Sequence, residues 1–255
     1  MDGSGSLALS LAASPLSYEP TQVEPGLWAM SMRTDRSLQE YLRIHLKVPV
    51  IPDIRQLSSV FDFVADAAPG VKEVLAVGKV CWEVKEDNYD IVVVDAEASG
   101  HVVAQVSSPR TINSLVPRGP LRDQTGWMLR ILDDPAQCGA VIVAAPEELP
   151  VTESLDLAAR LRAGTRTEVA AYVVNMTGPE VPAEAVALAA DPWFASVAPG
   201  HASSVELARR MHDDQAAATA PLRRSGPPVL DLPAIVGTEP EVAGQLAREI
   251  ERQGW

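Results

Sequence analysis

The sequence predicts an α/β domain built on a doubly wound, mostly parallel sheet. Three short apolar runs, at 89–95, 140–146 and 169–175, are rich in β-branched residues and end at a polar residue or a proline. Because these runs are continuous rather than alternating, they indicate strands buried on both faces. Helix-compatible segments at 118–132 and 152–162 separate the runs, and strands that alternate with helices are typical of a parallel sheet.

The remaining elements are predicted from weaker signals, and all are assigned to one domain over 1–255. The segment 34–84 is interpreted as a helical insertion punctuated by prolines, and the Ala-, Pro- and Arg-rich segment 178–228 as a variable helical and loop region. We expect two weaker strands, at 27–32 and 229–232. We also expect two helices, at 205–215 and 239–253.

Composition excludes several classes of function. The chain has 21 Lys and Arg against 34 Asp and Glu, a net charge of −13, which disfavours nucleic acids and anionic lipid surfaces. Two cysteines without a C-x-x-C spacing indicate neither a disulfide framework nor a zinc site. No apolar run is long enough to span a bilayer, and residues 1–13 lack the basic start of a signal peptide, so we expect a cytoplasmic protein.

The first apolar run carries a candidate metal ligand. Ile91 to Val94 lead directly into Asp95, which is the arrangement of a Walker B strand. A carboxylate at the carboxyl end of a buried parallel strand lies where ligands bind in open α/β sheets, and it can hold Mg²⁺ directly or through water. An aspartate at this position is at least as often a helix N-cap or a turn former, and the pattern alone leaves both readings open.

Longer motifs resemble the ArsA/GET family of ATPases, a branch of the SIMIBI-class P-loop NTPases. The stretch from Asp95 to His101 resembles the family's switch II motif, D-x-x-P-T-G-H. Stretches at 119–129, 132–135 and 146–153, and the Val-Val-Asn ending at Asn175, are also similar to that family. The segments 26–30, 41–42 and 67–74 resemble its actinobacterial branch.

The resemblance implies ATP and Mg²⁺ as ligands and assigns roles to six residues. Asp95 would organise Mg²⁺ and the attacking water, Gly100 would sense the γ-phosphate, and His101 would be a switch residue. A general base or a hydrogen-bonded structural histidine are the alternatives for His101. In the base pocket Asn175 would read the adenine edge, with Pro228 and Leu230 near the base. The resemblance also implies a dimer and a membrane-protein client or a membrane pump.

Two departures from the family pattern argue against hydrolysis by this chain alone. Ala98 and Ser99 stand where the family has Pro and Thr, and Glu97 adds a negative charge near the expected phosphates. No G-x-x-x-x-G-K-[ST] run occurs, since Gly78-Lys79 is followed by Val80 inside a predicted helix. We therefore expect an N-terminally truncated chain without the Walker A loop, and an incomplete sheet.

Two interpretations follow. The chain is part of an ATPase that couples ATP hydrolysis to handling a membrane-protein or anion-export partner. Alternatively, it is a non-catalytic pseudo-ATPase that serves as scaffold or regulator and pairs, as a heterodimer, with a P-loop-bearing relative. Arsenite is a poor candidate cargo, because Cys81, expected in the core, and Cys138 lie far apart in the sequence.

Overall fold

A computed structural model of the chain describes residues 6–11, 15–32, 36–37, 70–96 and 99–255. These residues form two compact units. The first comprises Met1–Gly139 and Ala159–Glu168, and the second comprises Ala140–Ala158 and Val169–Trp255. Most of the predicted helical insertion at 34–84 lies outside the described residues.

The first unit begins with a short helix and a hairpin. Helix α1 spans Ser6–Ser10, and strands β1, Thr21–Glu24, and β2, Leu27–Ala29, pair antiparallel. The turn between them is Pro25-Gly26, and Gly26 has a φ of 80°, a left-handed conformation that glycine adopts without strain. The predicted strand at 27–32 is thus confirmed in its first three residues, and β1 is an element that the sequence did not predict.

Three helices form the core of the first unit. They are α2, Val71–Lys85, α3, Ser99–Leu115, and α4, Pro120–Leu132, and each contacts the other two. Gly78 in α2 lies against Met128, because a Cβ built there would come within 2.8 Å of the Met128 Cε. The buried core side chains are apolar: Val74, Val77, Cys81, Met128, Ile131 and Leu132. Gly78-Lys79 is therefore ordinary helix, as the sequence indicated.

The predicted strand at 91–94 is not formed. Residues 91–96 have no regular secondary structure, and Ile91, Val93 and Val94 are exposed. A β-strand is stable only when a neighbouring strand takes up its backbone hydrogen bonds. In the described part of the first unit the paired strands are β1 and β2, so this apolar run has no partner strand there.

The second unit contains a three-stranded parallel sheet, which confirms the predicted α/β class. Its strands are β3, Gly139–Ala144, β4, Glu168–Thr177, and β5, Val229–Pro233, in the order β3-β4-β5. Helix α5, Glu148–Gly164, connects β3 to β4. Two of the three main apolar runs and the weaker run at 229–232 are therefore strands, as predicted.

Burial in this sheet differs from the expectation. In β3, Ile142 and Ala144 are buried, whereas Val141 and Val143 are exposed. The prediction of burial on both faces is wrong for this strand, because alternate side chains point to opposite faces and one face of β3 is uncovered in its own unit. In β4 the run from Ala171 through Val174 is largely buried, as expected for the central strand.

Helices make up the rest of the second unit. They are α6, Ala183–Ala190, α7, Pro192–Val197, α8, Pro199–Arg224, and α9, Glu239–Arg252. The helix predicted at 205–215 is longer than expected, and its C-terminal Arg223 forms a bidentate ion pair with Asp231 of β5 at 2.7 and 2.8 Å. Within the described residues, no helix is both long and apolar enough to cross a membrane.

Candidate functional site

In the first unit, the predicted phosphate and metal residues surround the start of α3. Asp95 is exposed, interacts with another residue of the chain, and lies four positions before Ser99, where the helix begins. Gly100 and His101 occupy the first turn of α3 and are also exposed. The altered switch residues Glu97 and Ala98 lie outside the described residues. Asp95, Gly100 and His101 are close in sequence at the start of α3, and the described contacts do not join Asp95 to the other two.

The start of α3 has the chemistry of an anion site. The first backbone N–H groups of a 17-residue helix lack intrahelical acceptors and carry the positive end of the helix dipole. The first turn contains no acidic side chain that would take up this positive potential. A Cβ at Gly100 would meet nothing within 4 Å, which leaves room for a ligand to approach the backbone. A phosphate group fits such a position.

Asp95 fits the chemistry of a magnesium ligand rather than that of a closed metal cage. The described residues contain no cluster of three or more His, Cys, Asp or Glu side chains that could hold a metal ion. Mg²⁺ does not need such a cluster, because it retains several waters and commonly uses one or two carboxylates together with phosphate oxygens. A single exposed carboxylate before a helix N-terminus therefore suits a Mg²⁺–phosphate ligand.

In the second unit, Asn175 lies at the carboxyl end of β4. Its Oδ1 accepts a hydrogen bond from the Met176 N–H at 3.0 Å, and Met176 has a φ of 65°, so the chain turns sharply at this point. This bond orients the amide group and leaves its Nδ2 hydrogens to donate to a ligand. The carboxyl ends of parallel strands are where ligands bind in α/β sheets.

The strand register places Pro228 and Leu230 away from the level of Asn175. Asn175 is level with Leu232 on β5, whereas Tyr172 is level with Val229 and its N–H donates to the Pro228 carbonyl at 2.9 Å. Pro228 therefore lies four residues, roughly 13 Å along the strand, from the level of Asn175. Leu230 is level with Val173 and is buried in the core. Neither residue is beside the Asn175 amide.

The neighbours of Asn175 on β5 are residues that the sequence analysis missed. Thr177 Oγ1 donates to the Leu232 carbonyl at 3.1 Å, and the Ala234 N–H donates to the Thr177 carbonyl at 3.0 Å. These bonds fasten the end of β5 beside the turn at Met176. Aligning β4 and β5 at their carboxyl ends, rather than at their starts, would have indicated Pro233 and Ala234 as residues near Asn175.

The two cysteines, far apart in the sequence, lie in one apolar cluster of the first unit. Cys81 is buried in it, and Cys138 packs against it. Burial, reinforced by the neighbouring Cys138 thiol, raises the pKa of the Cys81 thiol to about 12. Burial also raises the pKa of Cys138. The core role predicted for Cys81 is confirmed. The two groups are neutral thiols at physiological pH and not a thiolate site.

Comparison with known proteins agrees with the resemblance to ArsA/GET ATPases. The sequence profile of the anion-transporting ATPase family, ArsA, matches residues 4–120. ATPase BagA of Mycobacterium tuberculosis is 24% identical over 190 residues, which are 70% of this chain and 55% of that protein. A Halobacterium salinarum protein named "Putative arsenical pump-driving ATPase" is 25% identical over 188 residues, 65% of this chain and 28% of that protein.

The chain thus spans about half the length of the mycobacterial relative that it matches. The profile match includes Asp95, Gly100 and His101, and the parallel sheet is consistent with a P-loop NTPase-like fold. By its sequence profile over residues 4–120 and by its relatives, the chain is similar to the ArsA family of ATPases.

Proposed function

We propose that the chain binds ATP together with Mg²⁺ and works within an ATPase whose cycle serves a membrane-protein client or an anion pump. The observation that carries the proposal is the amide of Asn175, which the Met176 N–H orients at the carboxyl end of β4. A fixed amide with a donor to spare is suited to the hydrogen-bonding edge of adenine. The similarity to the ArsA family of ATPases makes ATP the expected nucleotide.

The other residues have complementary roles in this proposal. Asp95 would hold Mg²⁺, directly or through water, and the bound ion would offset the negative charge of the phosphates. The N–H groups at the start of α3, including that of Gly100, would contact the terminal phosphate, so that this turn responds to its presence. His101, exposed in the same turn, would be a switch residue that forms a hydrogen bond when the turn reorganises.

The chain's own residues supply no Walker A loop, because none of the 255 residues forms a G-K-[ST] run. In P-loop enzymes the backbone N–H groups and lysine of that loop neutralise the phosphates. We therefore propose that this chain alone binds ATP weakly and does not hydrolyse it. The same observation favours the alternative function of a pseudo-ATPase scaffold that pairs with a P-loop-bearing relative.

The partners in this proposal are inferred from the similarity to the ArsA family. Two copies of the chain, or one copy and a P-loop-bearing relative, would form a dimer. The cargo would be a membrane-protein segment or an anion pump, and the dimer would work in the cytoplasm. The relative from H. salinarum is named for an arsenical pump. The neutral Cys81 and Cys138 thiols make arsenite itself an unattractive cargo for the present chain at neutral pH.

A matched substitution tests the role of Asn175. Asn175→Asp keeps an oxygen for the Met176 N–H, removes the amide donor and adds a negative charge, so the proposed contact with adenine is lost while the turn at Met176 is kept. We expect ATP affinity, measured by titration of a fluorescent ATP analogue, to fall about tenfold, and Glu180→Ala to leave it unchanged. Equal ATP affinity for wild type and Asn175→Asp would refute the assigned role.

A second substitution tests Asp95. Asp95→Asn removes the charge that would hold Mg²⁺, so the increase in ATP affinity on adding Mg²⁺ should be lost while metal-free binding is retained. With a P-loop-bearing partner present, Asp95→Ala should also abolish turnover. Unchanged turnover in that complex would rule out the proposed role of Asp95.

A further inference from the structure

The carboxyl end of β4 contains one residue more than the strand beside it. Asn175 is level with Leu232 on β5 and Thr177 is level with Pro233, so Met176 is inserted between two successive steps of the ladder. An inserted residue of this kind is a β-bulge, which interrupts the alternation of side chains and aims one of them in a new direction. This bulge lies at the edge of the sheet where ligands bind in α/β folds.

The backbone of Met176 has a conformation that a bulky side chain disfavours. Its φ of 65° lies in the left-handed region, where the Cβ crowds a carbonyl oxygen and where glycine, asparagine and aspartate are the usual residues. Among the described residues, the other non-glycine residue with a positive φ is Asp87, which is one of those usual types. Methionine is not, so the chain retains a large apolar side chain here at an energetic cost.

Hydrogen bonds on both sides hold Met176 in this conformation. Its own N–H donates to Asn175 Oδ1 at 3.0 Å. After it, Thr177 is bonded to β5 through its hydroxyl and its carbonyl, and the Gly178 N–H donates to Gln215 Oε1 of α8 at 2.8 Å. Strained residues persist where the surrounding structure over-determines them, and they cluster at active sites and ligand clamps. The bulge therefore has a defined geometry before any ligand binds.

The side chain of Met176 is apolar and accessible. It is 62% exposed, although it follows shortly after the largely buried run from Ala171 to Val174. It also belongs to the residue directly after Asn175, whose amide is oriented by the Met176 N–H itself. A hydrogen-bonding amide and a polarisable thioether thus leave the same turn, and the two groups suit the edge and the face of one flat aromatic heterocycle.

We propose that Met176 contacts one face of the base whose edge Asn175 reads, and that the strained bulge aims the thioether there. The inference rests on the proposed binding of ATP, and it adds a second residue that recognises the base. A sulfur–aromatic contact, together with the apolar surface that it covers, strengthens nucleotide binding several-fold. A polyphosphate without a base offers no such face, so its binding should be independent of Met176.

A glycine variant separates the side chain from the backbone. Met176→Gly removes the thioether and adopts the same φ without strain, so its melting temperature should be at least that of the wild type. We expect its affinity for an ATP analogue with a fluorescent label on the ribose to fall at least about fivefold. Met176→Leu keeps an apolar side chain on the same turn and should stay within about twofold of the wild type. Met211→Ala, which changes a methionine that is 53% exposed on α8, is the control and should leave the affinity unchanged.

A methyl signal tests the contact directly. In a sample labelled at the methionine methyl groups, the Met176 signal is the one that disappears in Met176→Leu. Addition of MgATP should move this signal upfield, because the methyl group then lies over an aromatic ring, whereas tripolyphosphate should leave it unchanged. The Met211 signal should be unaffected by either ligand.

The outcomes separate this inference from the nucleotide proposal. If the wild type binds MgATP and Met176→Gly binds it equally well, Met176 does not contact the base, and the role of Asn175 is decided by its own variant. Equal weakening in Met176→Leu and Met176→Gly, or an unshifted Met176 methyl signal at saturating MgATP, overturns the inference in the same way. A wild type that does not bind MgATP at all refutes both proposals.

Discussion

A buried ion pair in α2 provides a sharp test of how the first unit is stabilised. Lys79 Nζ and Glu83 Oε1 are 2.6 Å apart, and the two side chains are only 8% and 10% exposed. Glu83 also accepts a hydrogen bond from Asn88 Nδ2 at 2.8 Å, and the Lys79 ammonium lies 5.5 Å from the centre of the Tyr18 ring. Both charges are therefore shielded from water and depend on each other.

The geometry sets the expected magnitude. At 2.6 Å and an effective dielectric constant of 20, the attraction is about 6 kcal/mol, and the cost of desolvating both charges offsets most of it. Lys79→Met or Glu83→Met leaves one buried charge without its partner, so each should lower the free energy of unfolding by about 3–5 kcal/mol. For a chain of this size that corresponds to roughly 6–20 °C in melting temperature.

The double variant decides between this explanation and simple loss of packing. With both charges replaced, no charge is left buried, so Lys79→Met/Glu83→Met should be within about 1–2 kcal/mol of the wild type in urea denaturation. Glu86→Met is the control, because Glu86 is 3.6 Å from Lys85 and both are exposed, so its loss should cost at most about 0.5 kcal/mol. Additive costs in the double variant would refute the reasoning.

Two further predictions concern the core thiol and the last helix. The pKa of Cys81 is raised from 9.0 to about 12, so its stabilising contribution is complete below pH 9 and is lost as the pH rises from 9 to 12. In urea denaturation at pH 9 and 10, the wild type should lose about 1 kcal/mol more than Cys81→Ala, and equal losses would contradict the burial of this thiol. Before α9, the Glu241 carboxylate accepts from the Thr238 N–H and hydroxyl at 3.0 and 2.8 Å. Thr238→Ala should destabilise the start of α9 by about 1 kcal/mol, measured by amide hydrogen exchange, and unchanged protection there would show that the cap is not formed in solution.

The local sequence pattern was sufficient to predict most of the described helices and strands. The apolar runs at 140–146 and 169–175 are β-branched and bounded by polar or turn residues, and both are strands. The helices α4, α5 and α9 were predicted because their residues favour helix and their boundaries carry prolines, glycines or acidic first turns. These features are encoded within a few residues, so they are readable without knowledge of the tertiary structure.

Features that depend on distant partners were not predictable. The run at 91–94 has the composition of a strand, but composition does not supply a neighbour for its hydrogen bonds. The positions of Pro228 and Leu230 depended on the register of β4 and β5, which the flanking sequence does not fix. The proximity of Cys81 and Cys138 results from the packing of α2 against α4 and its following turn. Asp95, Gly100 and His101 could be proposed as site residues from the sequence because a contiguous motif carries them, and their roles stay predictions.

An amide-resolved NMR titration of the 255-residue chain with MgATP tests nucleotide binding most directly. We expect weak, saturable binding that shifts the Asn175 side-chain amide and the Gly100 backbone amide, with smaller shifts for MgGTP at Asn175 and no release of phosphate. Titration to several millimolar MgATP without shifts at these two positions would contradict nucleotide binding. ATP turnover by the chain alone would contradict its dependence on a P-loop-bearing partner.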